Sequence, residues 1–148
     1  MIRHIWTVAC SRGVVDKASN NVSLQNVLEQ LTIIGEPSHD LKLRLELAIV
    51  SFWIRSNMEQ PAFGRVRVTF VSPSGEDLAS IESEINMLDH ARSRNIMRAG
   101  VLPLPEAGYY NFRVDVQHKD SDTWQQVALV PLEVKFNPPS DATEGEGN

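Results

Sequence analysis

The strongest constraint on this chain is a two-residue hydrophobic period that recurs along its length. Tyr110, Phe112, Val114 and Val116 alternate with Asn111, Arg113, Asp115 and Gln117. Val130, Leu132, Val134 and Phe136 are separated by Pro131, Glu133 and Lys135, and Val66, Val68 and Phe70 alternate with Arg65, Arg67 and Thr69. Successive side chains of a strand point to opposite faces, so each run reads as a strand with one buried and one wet face. Pro131 cannot donate a ladder hydrogen bond, which places it at a sheet edge or a bulge. Ser72-Pro73-Ser74-Gly75 reads as a type I turn closing the strand before it. Trp6, Val8 and Cys10 share one face of an N-terminal strand, and Asp16 to Asn21 supply turn chemistry after it.

Two segments carry both periods. Leu24, Leu28 and Leu31 suit a short helix, as do Leu78, Ile81, Ile85 and Leu88. Yet Ile81, Ser83 and Ile85 also alternate with Glu82 and Glu84, and the β surroundings favour strands for both. The 148 residues suit one domain, expected over residues 1–136. From Asn137 the chain reads NPPSDATEGEGN, with no large apolar side chain to offset ordering entropy. That stretch, residues 137–148, is expected to be a disordered acidic tail.

The run from Leu41 to Ile54 is unusual. Its first half has one wet face, with Lys42, Arg44 and Glu46 between leucines. From Ala48 onward both faces are apolar, Ile49 and Trp53 on one, Val50, Phe52 and Ile54 on the other. A strand of that length is expected to bend or bulge, and its second half needs cover on both sides. The cover is either another part of the chain or a second molecule. Val50, Phe52 and Ile54 are therefore the candidate partner interface.

Other chemistries find little support. The net charge of −5 argues against a general nucleic-acid binder. No stretch reaches the ~20 apolar residues of a membrane span, and no secretory signal is evident. A cytoplasmic protein is expected. The single cysteine, Cys10, excludes an intrachain disulfide. It shares a strand face with Trp6 and Val8, so it reads as core. No P-loop, G-x-S-x-G elbow or G-x-G-x-x-G fingerprint occurs, and the four histidines show no metal-ligand spacing. The nearest approach to a ligand cluster is His118 to Asp122 with Asp115, which a solvated hairpin turn explains equally. No catalytic residue, metal or cofactor is expected.

The arginines offer a second lead. Arg65 and Arg67 share a strand face, as do Arg92 and Arg94, and together they form a candidate anion-binding patch. Against this, residues 78–99 folded as a hairpin turning near Met87 to Asp89 would set Glu82 and Glu84 opposite Arg92 and Arg94. Cross-strand ion pairing then explains the charges.

Residues Glu106-Ala107-Gly108-Tyr109-Tyr110-Asn111-Phe112 resemble the corner before strand F of immunoglobulin-like domains, D-x-G-x-Y-x-C. In that family the tyrosine hydroxyl bonds back to nearby backbone. The resemblance assigns Gly108 and Tyr110 to the structural corner, with Glu106 for Asp and Phe112 for Cys. It also suggests Trp53 for the family's strand C tryptophan. More of the chain is similar to a family of small bacterial proteins of unassigned activity. That resemblance runs through Trp6 to Leu24 (Cys10, Ser11, Asp16, Asn20, Asn21, Ser23), the turn at Pro73 and Gly75, and Leu102 to Val116. It implies a β-sandwich and transfers no activity. The expectation is an all-β, immunoglobulin-like antiparallel sandwich of seven or eight strands. Its expected role is that of a non-enzymatic binding or assembly module, for a protein partner or a second copy. A small-ligand or anion-binding protein is the alternative.

Overall fold

The computed structural model describes residues 1–139. It contains nine strands, β1 (Ile2–Val15), β2 (Val22–Val27), β3 (Gln30–Ile34), β4 (Lys42–Arg55), β5 (Ala62–Val71), β6 (Asp77–Met87), β7 (Arg92–Pro103), β8 (Gly108–His118) and β9 (Gln125–Asn137). They form a sandwich of two sheets, ordered β2-β1-β4-β7 and β3-β9-β8-β5-β6. The alternating runs each became a strand, and both ambiguous segments are extended. Side chains inside one sheet pack on those of the other, so period two prevails over the competing helical spacing. The strand count is nine, not seven or eight, and β3 runs parallel to β9, a departure from an all-antiparallel arrangement. Among the described residues no helix is long and apolar enough to cross a membrane.

Trp53, Tyr110, Ile49, Ile85, Met87, Leu104 and Leu132 fill the space between the sheets, each essentially without solvent exposure. Trp53 has the core position expected of it, but its strand differs. It lies on β4, in the sheet opposite β8; the strands paired with the corner tyrosine's strand are β5 and β9. The corner itself forms. The Tyr110 hydroxyl donates to the Glu106 carbonyl at 2.6 Å and accepts from the Glu106 N–H at 3.1 Å. Gly108, at φ +132°, lies where an added Cβ would meet Pro73 at 3.0 Å, so this position needs glycine.

Two residues carry the chain from one sheet to the other. The Leu28 N–H donates to Ala9 O of β1, and Glu29 O accepts from the Glu133 N–H of β9. Because β3 pairs β9 only from Glu133 onward, the far side of β9 at Pro131 carries no strand, which explains how a proline sits there. The Ser72–Gly75 turn closes with Gly75 N–H to Ser72 O at 2.9 Å. Asn137, expected to begin the tail, ends β9 opposite Ile34; residues 140–148 lie outside the described residues.

Candidate functional site

The long strand β4 bulges between Arg44 and Leu47, where its pairing with β7 shifts register. Its odd residues from Leu47 to Trp53 face the core. Its even residues face outward, so Lys42, Arg44, Glu46, Ala48, Val50, Phe52 and Ile54 lie on the outer side of the four-stranded sheet. β1 sets Trp6 beside Phe52, Val8 beside Val50 and Cys10 beside Ala48. On the other flank β7 sets Arg92, Arg94, Ile96 and Arg98 beside Ile54, Phe52, Val50 and Ala48. The rings of Trp6 and Phe52 are 5.8 Å apart.

The apolar centre of this face is covered by the chain itself. β1 pairs with β4 only as far as Cys10, then continues to Val15 paired with β2 alone. This hairpin folds across the sheet. A Cβ on Gly13 would lie 3.2 Å from Val50 Cγ2 and 3.7 Å from Ile96 Cδ1, so glycine permits the close approach. At its tip the Asn20 carbonyl, at φ 59°, accepts a hydrogen bond from Arg94 Nη2 at 2.8 Å. Val50 and Cys10 are fully buried as a result, in a small second cluster with Trp6, Val8, Leu24 and Ile96. The expected interface residue Val50 is thus corrected to a packing role beneath the hairpin. Phe52 and Ile54 remain half-buried at its margin. Burial also pushes the Cys10 thiol above its usual pKa, which suits a packed and unreactive side chain.

The two arginine pairs are not brought together. Arg65 and Arg67 project from the outer face of the five-stranded sheet, Arg92 and Arg94 from the outer face of the other. The expected hairpin of residues 78–99 does not form, because β6 pairs β5 and β7 pairs β4. Glu82 and Glu84 consequently stand opposite Arg67 and Arg65, with Glu82 ion-paired to Arg65. Arg67 lies 3.7 Å from Asp115 and stacks 4.2 Å over the Trp124 ring. Arg113 bridges Asp77 and Asp115, and these carboxylates raise its pKa further. Asp115 is therefore held by arginines, apart from the turn at residues 118–122.

A charge segregation emerges that the linear order of the chain conceals. The strands of the four-stranded sheet carry Arg3 and Arg12 on β1, Lys42, Arg44 and Arg55 on β4, and Arg92, Arg94 and Arg98 on β7. Glu46 is their single acid. The strands of the five-stranded sheet carry Arg65, Arg67, Arg113 and Lys135 against Asp77, Glu82, Glu84, Asp115 and Glu133. Every ion pair found among the described residues lies on that second sheet. Arg55 is held by the carbonyls of Met58, Met87 and Leu88. Arg12 and Arg98 flank one depression beside Glu46 where the hairpin leaves the sheet. The outcome is a cationic face beside an aromatic pair.

A half-buried relay escaped the sequence reading because its third member, Ser51, lies 44 residues from Thr7. His4 Nε2 lies 2.7 Å from Thr7 Oγ1, which lies 2.8 Å from Ser51 Oγ. Ser51 is fully buried, so no substrate reaches it, and the His4 ring packs edge-on to Trp53 at 5.1 Å. A concavity of about 660 Å3 lies where β5 begins and β8 ends, lined by Phe63, Leu88, His118, Lys119 and Asp120 among others. Burial lowers the pKa of both His4 and His118. Compared with models of protein families and with curated proteins, the chain matches none.

Proposed function

We propose that this protein is a non-enzymatic binding module that docks an acidic protein partner on the outer face of its four-stranded sheet. The charge segregation carries this reading. Surface charges of one sign, gathered on one face and unpaired there, raise the local concentration of oppositely charged partners and orient their approach. Trp6, Phe52 and Ile54 add apolar area beside the arginines, the combination that dominates protein–protein contacts. Two copies meeting through this face would set one arginine row against the other, and like charges directly opposite are destabilising. That repulsion favours an acidic partner over a second copy. The buried, unpaired Cys10 suits a reducing compartment, and we place the module in the cytoplasm.

Fluorescence anisotropy with a labelled glutamate-rich peptide tests the reading. Binding is expected to weaken several-fold as salt rises from about 50 to about 300 mM, because screening shortens the reach of exposed charges. A lysine-rich peptide of equal length is expected not to bind. Equal binding of both peptides, or no binding of the acidic one at low salt, overturns it.

A further inference from the structure

We infer that the partner segment is an extended acidic peptide that adds to the free edge of β7 as a further strand of the four-stranded sheet. This rests on the reading of that sheet as the acidic-partner face and specifies how the partner is held. β7 is the last strand of its sheet and pairs only with β4. Among the described residues, no backbone–backbone hydrogen bond reaches its other edge; from the core-facing side of β7 the Asn95 side chain donates to Glu84 O of β6 at 3.0 Å. Twelve residues make it long for an edge strand, and its one proline, Pro103, stands at its end. A long edge with unpaired N–H and C=O groups is a template for strand addition.

The side chains say which strand fits. Arg92, Arg94, Ile96 and Arg98 follow one another at alternate positions on the outer face, about 6.6 Å apart at the usual rise of a strand. Residues of an added strand that face the same way alternate in the same register, so three carboxylates and one apolar side chain complement this row. For an antiparallel addition the motif reads, from its N-terminus, acid-x-apolar-x-acid-x-acid. Arg94 keeps donors for the peptide, because its bond to Asn20 uses Nη2 alone. A second copy of β7 brings arginines to arginines and does not fit.

The test uses the whole protein and a labelled peptide, Thr-Glu-Thr-Val-Thr-Glu-Thr-Glu-Thr. Comparison peptides are a shuffled one with its three acids contiguous, and two versions N-methylated at alternate amides, one set on each edge. Anisotropy is expected to show one methylated version weakened about tenfold or more and the other nearly unaffected, since only one edge donates to β7. The shuffled peptide is expected to bind several-fold more weakly than its parent, and Arg92→Ser with Arg98→Ser to reduce parent binding about tenfold. Equal affinity for the parent, the shuffled peptide and both methylated versions overturns strand addition while leaving an acidic docking face standing. Failure of every acidic peptide to bind overturns both. Dimerisation of the protein alone at micromolar concentration, with peptide competing against it, assigns the edge to a second copy and also overturns the inference.

Discussion

Arg94 on β7 donates a hydrogen bond to the carbonyl of Asn20, 2.8 Å away and 74 residues earlier in the chain. The contact joins the tip of the β1–β2 hairpin to the far edge of the sheet it covers. Arg94→Ala removes the bond and leaves the hairpin attached by the packing of Gly13 and Leu24 in the cluster around Val50 and Ile96. Hydrogen exchange is expected to quicken in residues 12–15 and 22–25 and to stay unchanged in β8, because local opening follows the loss of local contacts. Mass spectrometry of exchanged peptides measures both segments in one experiment.

Gly13 is the point of closest approach between hairpin and sheet. Gly13→Val puts new atoms against Val50 and Ile96, where a Cβ alone already comes within 3.2 Å. Overpacking of this kind destabilises by about 1–3 kcal/mol. Urea denaturation is expected to show a lower midpoint for this variant. Gly100, which has nothing near its missing Cβ, provides the matching control as Gly100→Ala.

Tyr110 locks the corner between the sheets through both backbone groups of Glu106. Tyr110→Phe keeps the ring stacked on Phe70, 5.0 Å away, and removes only the hydroxyl. The Glu106 N–H and C=O then lose their partner, at a cost of about 1–3 kcal/mol. Chemical denaturation measures this directly, and a variant as stable as wild type would contradict the role of the corner.

The histidines predict an acid-side loss of stability. Burial lowers the pKa of His4 and His118, so the folded protein holds both rings neutral at pH values where the unfolded chain protonates them. Their stabilising contribution is fully present above the unfolded value of about 6.5 and is lost as pH falls through the lowered folded values. The denaturation midpoint is expected to drop between about pH 7 and about pH 5, before most carboxylates titrate. His4→Gln is expected to flatten that slope, and an unchanged slope in both His4→Gln and His118→Gln would contradict it.

What was legible in the chain was each strand's face. Alternation located β5, β8 and β9, turn chemistry located Ser72–Gly75, and a seven-residue pattern located the Tyr110 corner. What stayed hidden was which strand lies beside which. Nearness in sequence matches Glu82 and Glu84 to Arg92 and Arg94, yet consecutive strands β6 and β7 belong to different sheets, and the acids meet Arg65 and Arg67. The same interleaving concealed the charge segregation, since basic β1, β4 and β7 are separated along the chain by uncharged β2 and β3, by β5 with its two arginines and by acidic β6. The doubly apolar stretch of β4 correctly signalled a need for cover. Nothing in the residue pattern identified the cover as the upstream β1–β2 hairpin, although Gly13 within a strand, just before Val14 and Val15, marks a site of close backbone approach.

The most direct test of the account sets the two faces against each other. Arg92→Glu with Arg98→Glu reverses two charges on the four-stranded sheet, and Arg65→Glu with Lys135→Glu reverses two on the five-stranded sheet. Both pairs change the net charge equally, and the binding of a glutamate-rich peptide is measured for each at the same low salt. Binding is expected to weaken about tenfold or more for the first variant and to change little for the second. Equal weakening by both would show that net charge, and not this face, governs the interaction, and would contradict the account.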